Sequence, residues 1–370
     1  MSLRVVLAGG GTAGHVNPLL ATAHTVRARG AHVRVLGTAE GLEATLVPDD
    51  GFELVTVPKV PIPRRPSLDL VSVPTRLNAA VALAEAVIRE ADVVVGFGGY
   101  VAAPAYIAAK RLGVPFVVHE QNVRAGWANR LGARSASAVA LTFPNTSLRA
   151  RVGITRVTGM PLRHKIMKLA RARQTEEGRA HTKKIGARIF GLDSAKPTLL
   201  VIGGSLGAQH LNDVLMEAAP KLKKNVQVLH VTGKGKADAV RAAAAAPNIR
   251  FSWEIAEYLH NIDQAMAASD LVLCRSGAGT VSELQALGMP AFYVPLPIGN
   301  GEQRLNAAGQ VGVGGAKIVD DKYFTVSTFI HQVLPLLLDS RRLDKMGQAS
   351  RALSPGDGAE LLADLIEEVA

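Results

Sequence analysis

The run Val5-Val6-Leu7-Ala8-Gly9-Gly10-Gly11-Thr12-Ala13-Gly14-His15 sets an imidazole beside a cluster of glycines. The short apolar stretch reads as a buried strand, and a helical pattern restarts from Val16 through Arg27. Glycines at such a junction let backbone N–H groups approach an anion closely, and the next helix offers the positive end of its dipole. His15 adds what a phosphate cradle alone lacks, a group able to take up a proton near neutral pH. Gly9, Gly11 and Gly14 also satisfy the G-x-G-x-x-G spacing of dinucleotide folds, which asks for an acidic residue closing the second strand. The second strand, His32–Leu36, runs instead into Gly37-Thr38-Ala39, with Glu40 only beyond. A nicotinamide or flavin enzyme is therefore disfavoured.

Three further glycine turns follow apolar runs: Gly96-Phe97-Gly98-Gly99-Tyr100, Gly203-Gly204-Ser205-Leu206-Gly207-Ala208 and Arg275-Ser276-Gly277-Ala278-Gly279-Thr280. Each could be only a tight strand–helix turn. Four of them, two in each half of the chain, suggest two phosphorylated ligands bound at the carboxyl ends of parallel strands. In the fourth, Glu283 falls in the first helical turns after the glycines. A carboxylate there can accept from two vicinal ribose hydroxyls, or simply favour the helix dipole.

The elements that must carry these turns alternate. Strands are expected at Leu3–Leu7, His32–Leu36, Leu54–Val57, Val93–Gly96, Phe116–His119 and Ala138–Leu141. After Pro197 they resume at Thr198–Ile202, Gln227–Thr232, Ile249–Phe251, Leu271–Cys274, Ala291–Val294 and Ala316–Val319. Helical patterns such as Leu77–Arg89 and Ala105–Leu112, the latter beginning near Pro104, lie between them. The fold class is α/β, with two Rossmann-like parallel sheets covered on both faces. Expected domains are 1–162, 163–340 and a C-terminal helical segment 341–370 that could pack back on the first. Residues 163–188 carry nine Lys/Arg against two Asp/Glu and read as a mobile helix or loop.

Composition narrows the classes. A length of 370 residues with 48% hydrophobic content suits two cores. The single cysteine, Cys274, excludes a disulfide scaffold and a Cys-rich metal site, suits a reducing cytoplasm, and reads as a core residue. No secretory signal is evident, and the uncharged stretch between Asp92 and Lys110 is divided by Gly96, Gly98, Gly99 and Pro104, so no transmembrane helix is expected. The net charge of +11, concentrated in the first half and in 163–188, fits an anionic membrane surface or a solvated basic face. A nucleic-acid binder is disfavoured by 4% aromatic content.

Five ordered motifs now carry a resemblance: Gly10-Gly11-Thr12-Ala13-Gly14-His15, His119-Glu120-Gln121-Asn122, Gly159-Met160-Pro161-Leu162-Arg163, Gly203–Ala208 and Cys274–Glu283. Together, from about Arg4 to Asn306, they resemble the MurG family of bacterial cell-wall glycosyltransferases. The resemblance implies a GT-B fold, with two domains facing across a cleft. It implies an inverting, cofactor-free transfer with no obligatory metal, moving N-acetylglucosamine from UDP-N-acetylglucosamine to undecaprenyl-diphospho-N-acetylmuramoyl-pentapeptide (lipid I), to give lipid II. It also implies a peripheral place on the cytoplasmic membrane face, with cell-wall synthesis and division proteins as partners.

Carried over by motif, Thr12, Ala13 and Gly14 line the donor-sugar side, and Asn122 contacts the donor. Arg163 and Ser205 match nucleotide and phosphate contacts, and Leu259 matches the position whose backbone reads uracil. Ala278, Gly279, Thr280, Val281, Ser282 and Glu283 match the nucleotide loop, with Glu283 on the ribose, and Gln303 matches a sugar contact. Ala13 stands where many relatives have glycine, a methyl that is tolerated if φ stays negative. Glu302 precedes Gln303 where two glutamines are commoner.

For mechanism, His15 is expected to remove the proton from the acceptor's C4 hydroxyl as that oxygen attacks the anomeric carbon. It could instead only orient the acceptor, and His119 with Glu120 is a second candidate pair. Gly10, Gly11, Gly98, Gly99 and Tyr100 are expected to hold the acceptor's own diphosphate. Leu68, Leu70, Val71, Val73, Leu77, Val81 and Leu83, flanked by Arg64, Arg65 and Arg76, are candidates for a membrane patch. The nearest enzymatic rival is a UDP-N-acetylglucosamine 2-epimerase, which would need further acid/base carboxylates around the sugar.

Overall fold

The computed structural model describes residues 2–60, 73–204, 207–297 and 301–370. Two compact units result: residues up to Arg163 together with Pro355–Ala370, and His164–Ser354.

The first unit is a seven-stranded sheet of β1 (Arg4–Ala8), β2 (His32–Gly37), β3 (Glu53–Thr56), β4 (Val93–Gly96), β5 (Phe116–Glu120), β6 (Ala138–Leu141) and β7 (Ile154–Val157). Their order is β3-β2-β1-β4-β5-β6-β7, and every pairing is parallel. Helices α1 (Ala13–Ala28), α2 (Glu43–Asp49), α3 (Val73–Ile88), α4 (Gly99–Leu112) and α5 (Trp127–Gly132) connect them. The inner strands read as unbroken apolar runs because both faces are covered. Val6, Ala8, Val94 and Val118 feed one core, while Val5, Leu7, Val95 and Val117 feed the other. The edge strands β3 and β7 are largely solvated. That exposure is why Ile154–Val157 carried no apolar signal.

The second unit begins with α6 (His164–Ala172) and α7 (Glu176–Ile189), two packed helices where a mobile segment was expected. Ile166, Met167, Leu169 and Ala170 are buried, and Thr175 caps α7 by accepting from the Gly178 N–H, so charge here marks one helix face only. Six parallel strands follow, β8 (Thr198–Ile202), β9 (Gln227–Val231), β10 (Ser252–Ala256), β11 (Leu271–Cys274), β12 (Ala291–Tyr293) and β13 (Ala316–Ile318), ordered β10-β9-β8-β11-β12-β13. The expected strand at Ile249–Phe251 lies just ahead of the observed β10. Helices α8 (Gln209–Ala218), α9 (Ala237–Ala244), α10 (Ile262–Ala268), α11 (Ala278–Leu287), α12 (Glu302–Gly312), α13 (Val326–Thr328), α14 (Leu334–Leu337) and α15 (Ser340–Arg351) complete it.

The stretch 341–370 does not behave as one piece. Helix α15 belongs to the second unit, whereas α16 (Gly358–Val369) inserts Leu362, Ala363, Leu365 and Ile366, all fully buried, into the core beneath β1, β4 and β5. Arg29, the residue that caps the C-terminus of α1, pairs with Glu360, Asp364 and Glu367 along the flank of α16. Arg163 likewise falls at the end of the first unit's main segment, not at the start of the second. Helix α4 starts at Gly99 rather than near Pro104, which lies inside it. Among the described residues no helix is long and apolar enough to cross a membrane.

Candidate active site

In the first unit the glycine turn between β1 and α1 rests on a buried carboxylate that sequence reasoning missed. Glu43 accepts from the Gly11 N–H at 2.7 Å, the Thr38 N–H at 3.0 Å and the Thr38 hydroxyl at 2.7 Å. A Cβ placed on Gly10 or on Gly41 would stand 2.1 Å from one of its oxygens. Burial pushes the Glu43 pKa up, but these donors outweigh it and hold the group below the usual carboxylate value. Glu43 was hidden because Gly41-Leu42-Glu43 reads as an ordinary solvated helix start.

Above that support sits His15, half-buried in the first turn of α1. Its Nδ1 lies 3.0 Å from the Gly10 carbonyl oxygen and 3.2 Å from the Thr12 hydroxyl. A carbonyl only accepts, so Nδ1 carries the proton and Nε2 is left as the basic nitrogen of the neutral ring. Desolvation lowers the His15 pKa below the usual imidazole value, against the opposing effects of the Gly10 carbonyl and the Glu43 charge. The ring is thus neutral at physiological pH.

The adjacent turn between β4 and α4 closes against it. Gly98 and Gly99 have φ of 87° and 78°, a region closed to ordinary side chains. A Cβ on Gly99 would lie 2.7 Å from the Gly10 oxygen, and one on Gly98 would lie 3.3 Å from His15 Nε2 and 3.5 Å from Asn129 Nδ2. Tyr100 at the start of α4 is exposed, with Lys59 Nζ 5.4 Å from its ring centroid.

Asn129 is a second residue that the sequence did not single out. Its Nδ2 donates to Glu120 at 2.9 Å and to the His119 carbonyl at 3.0 Å, and its Oδ1 accepts from Tyr106 at 2.8 Å. Glu120 in turn accepts from the N–H groups of Asn122 and Gly126, shaping the loop that presents half-buried Asn122. His119 is fully buried, its Nε2 on the Gly159 carbonyl at 3.1 Å and its Nδ1 receiving Gln121 at 3.0 Å. Burial pushes its pKa down to about 4. Both nitrogens are engaged away from solvent, which removes the His119–Glu120 pair as a base.

In the second unit the turn between β11 and α11 is built differently. The Val281 N–H makes the first helical bond, to Gly277, leaving the Ala278, Gly279 and Thr280 amides aimed out of the helix start. A Cβ on Gly277 or Gly279 would meet nothing within 4 Å, so the turn faces open space. Arg275 beneath it is not open to a ligand: its Nη1 donates to the Val294 and Pro295 carbonyls and to Asp321, tying the turn to the end of β12. Glu283 is half-buried and Ala278 nearly buried, whereas Val281 and Ser282 turn into the interior, so that any contact from them is through the backbone. Cys274 is buried and its thiol pKa is raised by burial, as for a core residue.

Gln303 Oε1, in the first turn of α12, accepts from the Leu296 N–H at 2.9 Å and fixes the loop after β12. Leu259 lies half-buried in the loop after β10. Thr12, Ala13 and Gly14 form the start of α1, and no residue other than glycine has positive φ among those described, so the Ala13 methyl is unstrained. Ser205 lies outside the described residues, as do Arg64, Arg65, Leu68, Leu70 and Val71. Of the remaining apolar positions named with them, Val81 is core, Leu77 packs against it and Leu83 is exposed. Among the described residues no three His, Cys, Asp or Glu side chains gather as a metal site.

Models of the glycosyltransferase family 28 N-terminal and C-terminal domains match residues 5–141 and 198–362. A UDP-N-acetylglucosamine–N-acetylmuramyl-(pentapeptide) pyrophosphoryl-undecaprenol N-acetylglucosamine transferase of Streptomyces coelicolor is 46% identical, with 99% of this chain and 98% of the relative covered. The enzyme of that name from Frankia casuarinae is 49% identical, over 99% and 96%. The crystal structure of Acinetobacter baumannii MurG superposes with a TM-score of 0.80 at 28% identity, covering 99% of both chains. The chain belongs to the MurG transferases of glycosyltransferase family 28. Its two parallel-sheet units are those of a GT-B fold. A UDP-GlcNAc 2-epimerase from Neisseria meningitidis shares that fold at a TM-score of 0.67 and 15% identity, a likeness of architecture alone. In this MurG-family chain the glycine turns of both units stand at the strand ends where open parallel sheets take ligands.

Proposed function

We propose that the chain transfers N-acetylglucosamine from UDP-N-acetylglucosamine to the C4 hydroxyl of undecaprenyl-diphospho-N-acetylmuramoyl-pentapeptide, lipid I, giving lipid II for peptidoglycan. The single observation that carries this reading is full-length identity of 46% or more to transferases bearing that name. The geometry of His15 supports the chemistry. The acceptor oxygen attacks the anomeric carbon as His15 Nε2 takes its proton; the bond from that carbon to the diphosphate breaks, and UDP leaves with the electron pair. One displacement inverts the anomeric configuration.

In this reading Ala278, Gly279 and Thr280 receive the diphosphate on their amides, together with the turn that contains Ser205. Glu283 takes the ribose, the Leu259 backbone the uracil, and Gln303, Asn122, Thr12, Ala13 and Gly14 the sugar, with Arg163 on the nucleotide. The acceptor's diphosphate falls to Gly10, Gly11, Gly98, Gly99 and Tyr100. Amides at helix starts supply the electrostatic stabilisation, and no metal takes part in the step. The protein works as a peripheral protein on the anionic cytoplasmic face of the membrane, beside the machinery of wall growth and division.

Product analysis with UDP-N-acetylglucosamine, with and without a lipid I analogue, tests the reading. Release of UDP that depends on the analogue and persists in EDTA is expected. Isomerisation of the sugar without acceptor would identify an epimerase instead.

A further inference from the structure

A cavity of about 510 Å³ lies wholly within the second unit at the starting ends of its strands, the opposite edge from the glycine turns. Pro197 before β8, Asp270 before β11 and Pro290 before β12 form its floor, and α7 and α15 supply walls. Three guanidinium groups gather there, from Arg173, Arg179 and Arg351. Arg173 is 6% exposed, and its Nε, like that of Arg351, has no hydrogen-bond partner among the described residues. Arg351 gives its two Nη groups to the carbonyls of Gln174 at 3.2 Å and Leu287 at 3.1 Å, leaving Nε over. Arg179 is half-buried and its guanidinium makes no ion pair among the described residues.

The carboxylates nearby do not neutralise this cluster. Asp270 is engaged by Lys183 at 2.8 and 2.9 Å and by the Thr198 N–H at 2.8 Å. Glu176 and Asp344 are on the exposed rim. Burial, then the charges of Arg351 and Arg179, push the Arg173 pKa down to about 10 despite Asp270. A buried cation beside like charges is costly unless an anion joins it. Planar guanidinium donors match phosphate oxygens in geometry as well as charge.

We infer that this cavity is a binding site for a small phosphate-bearing anion, held by Arg173, Arg179 and Arg351 and separate from the nucleotide turn. The site does not depend on the transfer reaction proposed above.

Calorimetric titration of the full chain with pyrophosphate, in saturating UDP so that the α11 turn is occupied, tests it. A binding event is expected whose affinity falls about tenfold or more in Arg179→Gln, whose half-buried side chain holds no other element in place, whereas any binding at the first unit's glycine turns is the same in both proteins. Arg351→Lys, which keeps the charge but loses the planar fork, is expected to weaken binding as well. Absence of binding with UDP present, or equal affinity in Arg179→Gln, would overturn the inference. Sedimentation with phosphatidic acid vesicles separates the sources of the phosphate. Binding lost in Arg179→Gln assigns a lipid headgroup, and equal binding assigns a soluble phosphate.

Discussion

A methyl added at Gly10 would lie 2.1 Å from Glu43 Oε1, whereas one added at Gly277 or Gly279 would meet nothing within 4 Å. Both turns join a buried parallel strand to a helix, yet they need glycine for different reasons. In the first unit the backbone lies against a buried carboxylate and against the neighbouring Gly98-Gly99 turn, so the loop that carries His15 is held rigidly. In the second unit glycine keeps the ground before a helix N-terminus clear, so that a phosphate can reach the amides. One turn positions a side chain; the other leaves its helix amides open, and in the function proposed above it takes an anion. Similar sequence punctuation therefore serves opposite ends, and only the atoms around each glycine reveal which.

Substitutions should separate the two plans. The largest effect is expected from His15→Ala, with kcat falling by about 10²–10⁴ while the affinity for UDP, which the proposed function gives to the other unit, stays within about twofold. Steady-state kinetics with a lipid I analogue, beside a UDP titration of the same variant, checks both halves. Glu43→Gln keeps the shape but removes the charge, and should cost about 1.5–3 kcal/mol in denaturant unfolding, because its donors then bond a neutral group. Glu43 has a lowered pKa in the folded state, so the stability that it contributes is present above the unfolded value of about 4.3 and is lost as pH falls through the lower folded value. The difference in stability between native protein and Glu43→Gln should accordingly shrink in acid.

The glycines themselves give the sharpest contrast in sign. Gly10→Ala should destabilise by about 1–3 kcal/mol through overpacking against Glu43. Gly279→Ala, in the first turn of a helix at negative φ, should leave stability unchanged or raise it by up to about 1 kcal/mol while weakening UDP binding. Thermal unfolding and UDP titration of the pair distinguish these outcomes. Equal loss of stability in both would erase the distinction between the turns.

How much of this was legible in the residues follows from burial. Val93–Gly96, Ala138–Leu141, Thr198–Ile202 and Leu271–Cys274 match the observed strands because inner strands of a covered sheet are continuous apolar runs. The glycine turns and His15 were legible because they break those runs abruptly. Edge strand β7 was not, since three of its four residues face water. Glu43 and Asn129 were not, because each is polar in sequence and buried only through tertiary contacts with Gly10 and Glu120. The return of α16 to the first unit was open for the same reason: its apolar stripe is plain, but its partner, the face formed by Val5, Leu7 and Val95, lies more than 250 residues earlier.

The pH profile of kcat/KM for acceptor-dependent transfer tests the central claim most directly. With Nδ1 bound to the Gly10 carbonyl and the ring desolvated, Nε2 stays unprotonated to lower pH than an ordinary imidazole, whose pKa is about 6.5. The acid limb should therefore fall below that value in the native enzyme and vanish in His15→Ala. A limb at or above it, or one that survives the substitution unchanged, would contradict the assignment of His15 as the base.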